Sequence, residues 1–269
     1  MDFRTTVFLL LLQLGTFCYA GPGWDPAVDN DNSGEPDKSS ITETILKMNN
    51  GSTAPLMEGD LMIERTRTAI KCAVNAQSCL WPKSANGQVL IPYIIANQYS
   101  ISERNTIEGA LRGIEAGTCI RFIRRGTQKA YLNFEPGFGC FSRLGRRGGR
   151  QLVSLQRFGC VQHGIVQHEV LHALGFYHEH TRSDRDEHIL IHWENIQDVN
   201  KPNFEEQDTD NLDIPYDYNS IMHYGRTAFG VQGAITMTPI PDGSVEIGQK
   251  EGLSESDVLR INRLYKCWN

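Results

Sequence analysis

The stretch HEVLHALGFYHEH, His168–His180, places four of the chain's eight histidines within thirteen residues and interrupts them with one glycine. His168 and His172 are four apart. At about 100° per residue they leave a helix within about 40° of one another, so both imidazoles can meet one ion. Glu169 lies between them, turned about 100° from His168. It is too far round to be a third ligand on that face, yet near enough to reach a water held by the metal, which is what a general base needs. In an uninterrupted helix His178 would stand about 280° round from His168 and ~15 Å along the axis, out of reach. Gly175 removes the difficulty, because glycine adopts positive φ, ends the helix and lets the chain double back. His168, His172 and His178 then supply three nitrogens and leave one position open, the pattern of a catalytic rather than a structural zinc site. A lone His-Glu-x-x-His recurs by chance, whereas the added glycine and third histidine make the signal specific and displace the reading of a helix with surface histidines. His180, two residues past His178, would point away from it in an extended segment and reads as a bystander. His163, His188 and His192 lack ligand spacing and read as surface or internally satisfied side chains.

The remainder of the chain fits an exported protein with a removable leader. Its 269 residues and 40% hydrophobic content allow one sizeable globular domain or two small ones. A sequence pI near 5.8 argues against a general nucleic-acid binder. MDFRTTVFLLLLQLGTFCYA, residues 1–20, has Arg4, an apolar run from Val7 to Leu14, then Cys18 and Ala20 where signal peptidase selects small side chains. The run is too short for a membrane anchor, and no later stretch is long or apolar enough to span a bilayer. Beyond Cys18 stand six cysteines: Cys72, Cys79, Cys119, Cys140, Cys160 and Cys267. In a secreted chain they read as three disulfides with fifteen conceivable pairings, and the absence of a Cys-x-x-Cys pair argues against thiolate metal binding. Residues 21–67 are rich in Pro, Gly, Ser, Asn and Asp, show little apolar periodicity and are expected to be poorly ordered on their own. They carry the glycosylation acceptor Asn50-Gly51-Ser52. Arg65 and Arg67 offer a tryptic-type cut. The expected division is therefore a signal peptide over 1–20, an activation propeptide over 21–67 and a mature domain over 68–269; a retained linker is the alternative.

Charge follows the same division. Residues 1–67 hold five basic and ten acidic groups, leaving 21 and 22 for residues 68–269, so the mature domain is near neutral. Within it residues 121–150 are strongly basic and 186–217 strongly acidic. Each is a solvated face, or the two flank a cleft and bias the peptides that enter it. Ser100-x-x-Glu103 opens a helix with Ile107, Leu111 and Ile114 on one face and a stop at Gly117. CIRFI (119–123), AYLNFE (130–135) and QLVSLQ (151–156) read as strands. A second capped helix begins at Ser254 with Asp257, and turns Val258, Ile261, Leu264 and Tyr265 inward.

HEVLHALGFYHEH together with SIMHYG, residues 220–225, resembles the astacin family of zinc endopeptidases within the metzincins. The resemblance spans residues 68–269 and includes LWPKSANGQVLIPY, residues 80–93. It implies an α+β, zincin-like catalytic domain of two subdomains, with a twisted mixed sheet, an active-site helix and a C-terminal helix. It implies one Zn2+ per chain on His168, His172 and His178, with Tyr224 as a further ligand that swings off to the developing oxyanion. Glu169 would activate the zinc-bound water and deliver its proton to the leaving amine. Met222 would form a turn beneath the metal, and Glu179 would receive the buried mature N-terminus. Taken alone, Met222 reads as core, Tyr224 as a surface aromatic and Glu179 as a plain surface carboxylate. Asp60, in MEGD (57–60), would occupy the zinc position while the propeptide is in place. The family pattern pairs Cys119 with Cys267 and Cys140 with Cys160. A third pair, Cys72 with Cys79, departs from the minimal pattern and resembles the six-cysteine branch that includes fish hatching enzymes.

The function expected from this resemblance is a secreted, zymogen-activated zinc endopeptidase acting on egg-envelope (chorion) glycoproteins at hatching. A separate protease would release it by cutting near Arg67. A substrate peptide would lie extended in the cleft, pair with the strand near AYLNFE by β-addition, and meet a pocket walled by residues 225–230 and IGQK (247–250). The alternatives are the same chemistry in a digestive, venom or leukocyte role, and an inactive zinc-holding binding module. Against the last stand Glu169 and all three histidines.

Overall fold

The computed structural model describes residues 39–63 and 79–268. The expected signal peptide, Arg65, Arg67, Thr68 and Cys72 lie outside these residues.

The first half is an open sheet backed by two helices. Strands β3 (Val89–Ile95), β4 (Ile120–Arg124), β5 (Tyr131–Glu135), β6 (Cys140–Phe141) and β7 (Arg150–Leu155) lie in the order β4-β3-β5-β7-β6. All neighbours pair parallel except β6, which runs antiparallel at one edge. Parallel strands are covered on both faces, and Ile91, Ile95, Leu132, Phe134, Val153 and Leu155 are accordingly buried. Helix α2 (Ile101–Ala116) starts where expected: the Ser100 hydroxyl accepts the Glu103 N–H at 3.2 Å, and the Glu103 carboxylate accepts the Ser100 N–H at 2.6 Å. Its buried Ile107, Leu111 and Ile114 pack in one core with the sheet and with Ile165, Val166, Val170 and Leu174 of α3 (His163–Leu174).

The second half is mostly loops and single 3-10 turns around a smaller core of Ile189, Phe204, Tyr216, Tyr224 and Met237. It contains a two-stranded antiparallel ribbon, β8 (Ile189–Ile191) with β9 (Met237–Pro239), whose strands are far apart in sequence, and α4 (Glu255–Leu264). Ser254 and Asp257 cap α4 reciprocally. Ile261 and Tyr265 are buried, but Val258 and Leu264 are only half-buried, while Asp257 and Arg260 go fully inside. Disulfides join Cys119 to Cys267, which ties the end of α4 to the start of β4, and Cys140 to Cys160. Cys79 is disulfide-bonded; its expected partner lies outside the described residues. No helix among the described residues is long and apolar enough to cross a membrane. The α+β architecture of two unequal halves is the one expected.

Residues 39–63, within the stretch expected to be poorly ordered on its own, form α1 (Ile41–Asn49) and a small hairpin of β1 (Leu56–Met57) with β2 (Leu61–Met62) against the rest of the chain. The Ser40–Glu43 capping box starts α1, and its short apolar stripe divides between the two halves. Ile41 and Ile45 join the larger core and Leu46 packs on the smaller one. A nine-residue helix is marginal in isolation, so its order comes from this packing rather than from its own sequence. Asn50 of the glycosylation acceptor is exposed at its end. One expectation is overturned, that of β-addition. AYLNFE forms β5, which is central and paired on both sides by β3 and β7, so it cannot receive a peptide. Of the two edge strands, β4 and β6, it is β6 whose free side adjoins Asp60 and the histidines. The two charge runs are also partly spent locally, as Arg150 pairs with Glu135, and Arg185 with Asp186 and Glu206.

Truncating Phe134 to Ala in the sheet centre is expected to cost about 3–5 kcal/mol, read as a lowered urea midpoint. Ile101→Ala, at an 80% exposed site, should stay within about 0.5 kcal/mol of the parent.

Candidate metal centre and active site

Helix α3 presents His168, Glu169 and His172 to the interior, all fully buried. It ends as Gly175 predicts. Gly175 has φ 112° and ψ 17°, its N–H donates to the His172 carbonyl at 2.9 Å, and the next N–H, of Phe176, reaches back to Leu171 at 3.1 Å. This paired closure needs one residue in the left-handed region. A Cβ at position 175 would meet nothing closer than 3.5 Å, so backbone conformation rather than space selects glycine. The chain then reverses and brings the His178 Nε2 to 3.2 Å from the His168 Nε2.

Each imidazole is held through its other nitrogen. The Nδ1 of His168 lies 2.9 Å from the Ile221 carbonyl, that of His172 lies 2.7 Å from the Phe176 carbonyl, and that of His178 lies 2.7 Å from a Glu58 carboxylate oxygen. Three acceptors at Nδ1 place the proton there and turn three Nε2 lone pairs toward one point, the arrangement that orients metal-binding histidines. Asp60 sits at that point. One of its oxygens is 3.0 Å from His168 Nε2 and 3.4 Å from His178 Nε2; the other is 3.3 Å from His172 Nε2. Burial acts to raise the Asp60 pKa, but His178, His172 and His168 outweigh it and hold the carboxyl well below the usual range.

The donor set fits zinc. Two imidazole nitrogens 3.2 Å apart match the roughly 3.3–3.4 Å between tetrahedral ligands held at about 2.0–2.1 Å. Both Glu169 carboxylate oxygens, the His172 Nε2 and one Asp60 oxygen are buried without a hydrogen-bond partner, a costly arrangement for an interior that lacked a cation. Burial and then the Asp60 charge push the Glu169 pKa well above the ordinary carboxylate value. Among the described residues, Asp60, His168, His172 and His178 are the only His/Cys/Asp/Glu group close enough to share an ion.

Other residues brace this centre. The turn Ser220–Met222 lies under it: Ile221 supplies the acceptor for His168, and the Met222 carbonyl accepts the Glu179 N–H at 3.0 Å. Asp257 of α4 clamps that turn, accepting the Ser220 hydroxyl at 2.6 Å and the Ile221 N–H at 2.9 Å. In the sequence Asp257 was legible only as a helix cap, and Glu58 carried no signal beyond its place in MEGD. Tyr224 is buried, and its hydroxyl donates to the Glu58 carbonyl.

His180 is not a ligand, but neither is it a bystander. Residues Glu179–Thr181 form a 3-10 turn instead of an extended segment, so His180 goes inward. It stacks on Tyr224 at 3.8 Å and meets the Asn203 carbonyl at 3.0 Å. Glu179 is buried rather than at the surface. Arg260 donates to it at 2.6 Å, Arg182 at 3.3 Å and the Asp217 N–H at 2.8 Å, beside a cavity of about 310 Å3 lined in part by Leu171, Phe176 and Met222. The N-terminal partner expected for it lies outside the described residues. His163 is exposed, His188 stacks on Tyr216, and His192 bonds Thr238, in line with their reading as non-ligands.

Replacing Gly175 by Ala is expected to cost about 1–2 kcal/mol through the positive φ and to loosen His178. The denaturation midpoint should fall, and zinc should be lost at lower chelator concentration. Parent-like zinc retention would mean that the turn does not position His178.

Comparison with known proteins agrees with this geometry. Residues 74–266 match the family model of the astacin peptidases. The chain is 50% identical over 262 residues to the low choriolytic enzyme of Oryzias latipes, spanning 96% of this chain and 97% of that one. It is 47% identical over 271 residues to high choriolytic enzyme 1 of the same fish, spanning 99% and 100%. The solved structure of high choriolytic enzyme 1, a hatching enzyme zinc-protease, superposes with a TM-score of 0.70 at 51% identity and covers 74% of this chain and 100% of its own. With most of its length inside the family model and relatives this similar from end to end, the chain belongs to the astacin family of zinc metalloendopeptidases.

Proposed function

We propose that this chain is a secreted, latent endopeptidase that cleaves egg-envelope proteins at hatching once residues 21–67 have been removed by a protease cutting near Arg67. Residues 1–20 serve as its export signal. The observation that carries the reading is the Asp60 carboxylate wedged among three imidazole Nε2 atoms, where it takes the room that substrate and water need. The choice of substrate is supported by the names of the similar Oryzias latipes proteins, both choriolytic enzymes.

His168, His172 and His178 would hold the zinc through Nε2. Bound there, zinc supplies Lewis-acid polarisation of a water and of the scissile carbonyl. Glu169 accepts the proton of the attacking water and returns it to the departing amine. Burial, the larger cause of its raised pKa, acts in the direction a group needs if it is to hold a proton between the two events. The Tyr224 hydroxyl is engaged by Glu58 while the leader is in place. Burial, with the Asp60 and Glu58 charges, pushes its pKa well above 10, so it stays a proton donor at neutral pH. Once freed, it can donate to the carbonyl oxygen as negative charge builds there. The substrate main chain pairs with the β6 rim rather than with β5.

After trypsin activation, Glu169→Ala is expected to lose about 10²–10⁴-fold in casein cleavage while retaining one zinc per chain; full activity would end the proposed role. Purified egg envelopes should be solubilised by the activated enzyme, and the transcript should appear in the embryonic hatching gland. Expression confined to adult gut or kidney would overturn the hatching role.

A further inference from the structure

The free edge of β6 shows how the leader shuts the cleft at a second place. Facing away from β7 along Cys140–Ser142 are the N–H and C=O groups of residues 140 and 142. Those of Ser142 are met by main chain: its N–H donates to the Asp60 carbonyl at 3.1 Å, and its carbonyl accepts the Met62 N–H at 2.8 Å. Those of Cys140 are met by a single side chain. The Asn49 Oδ1 accepts the Cys140 N–H at 2.8 Å, and its Nδ2 donates to the Cys140 carbonyl at 2.6 Å and to the Gly59 carbonyl at 2.8 Å. A carboxamide carries one acceptor and a pair of donors on a planar group, so it can stand in for the peptide groups of a paired strand. Asn49 is 8% exposed at the end of α1. The rim also makes room for it. Gly139 has φ 78°, and a Cβ there would fall 2.0 Å from the Asn49 Oδ1.

We propose that Asn49 is a second latency lock, which rests on the reading of residues 21–67 as a removable leader. Its side chain copies substrate main chain at Cys140 and completes the closure of the pairing edge that the Asp60 and Met62 main chain begins at Ser142, independently of the Asp60 carboxylate at the metal position. The two locks deny different requirements. Asp60 denies the site of chemistry, and Asn49 denies the edge on which a peptide is laid out. An aspartate would not replace it, because a carboxylate accepts from the Cys140 N–H but opposes the Cys140 carbonyl.

The test compares four full-length chains, wild type, Asp60→Ala, Asn49→Asp and the double variant, on a quenched-fluorescent peptide before and after trypsin cleavage. Uncleaved Asp60→Ala should remain largely latent. Adding Asn49→Asp should raise its kcat/KM at least ~10-fold, about the worth of one or two net hydrogen bonds, mainly through KM. Cleavage should bring all four to the same activity. Repulsion from the Cys140 and Gly59 carbonyls should swing the carboxylate of Asn49→Asp off the edge, so hydrogen exchange should quicken at the Cys140 amide with α1 still protected; loss of protection along α1 as well would reduce Asn49 to a helix support and overturn the lock. An unchanged uncleaved rate on adding Asn49→Asp would overturn it too. Should the variants fold poorly, a synthetic peptide of residues 39–63 added to trypsin-activated wild type should inhibit at least ~10-fold more tightly than its Asn49→Asp form; equal inhibition would overturn the lock. An uncleaved wild type as active as the cleaved one would sink the latency reading itself, a failure distinct from that of Asn49.

Discussion

An α-helix can aim two imidazoles at one point but not three, and the structure is arranged around that limit. His168 and His172 use up what α3 offers, and the third nitrogen has to come from chain that has left the helix and returned. The left-handed Gly175 makes the return possible, and the Ser220–Met222 turn gives the returning chain something to lie against. That turn would be free to shift if the buried Asp257 did not hold it from α4. The position of the C-terminal helix is in turn secured by Cys119–Cys267. A requirement set by three nitrogens therefore reaches the last residues of the chain.

The segment 39–63 takes part in the same network. Its helix α1 places Ile45 in the larger core and Leu46 on the smaller, so it straddles the line between the halves. Glu58 supplies the acceptor that orients His178 and also engages the Tyr224 hydroxyl, and Asp60 fills the point where the Nε2 atoms converge. Two residues of one short segment thus occupy the Tyr224 hydroxyl and the point where the three Nε2 atoms converge. On the proposed reading, removing the segment would expose the polar atoms that chemistry requires and would also uncover the parts of the two cores that Ile41, Ile45 and Leu46 pack against.

The helices and strands of the catalytic part were legible because their signals are local. Ser100 with Glu103 and Ser254 with Asp257 are capping pairs, and the β-strands are apolar runs bounded by glycine-rich turns. What was not legible shares one cause. Which strand lies at the edge of the sheet, whether α1 orders, and whether His180 faces in or out are all decided by partners distant in sequence. β5 reads as a strand equally well at an edge or in the centre; only its pairing with both β3 and β7 removes it from contact with substrate.

By itself the sequence determined the metal-binding arithmetic: two histidines one helical turn apart, a glutamate between them, a glycine able to stop the helix and a histidine beyond it. These follow from fixed helical geometry and from the steric freedom of one residue type. Tertiary structure alone decided what those groups meet. Asn49 finds Cys140 across 91 residues, Asp60 finds His168 across 108 and Glu58 finds His178 across 120. No local periodicity encodes such contacts, because hydrogen bonds and ion pairs form wherever packing of the two cores brings donors and acceptors together.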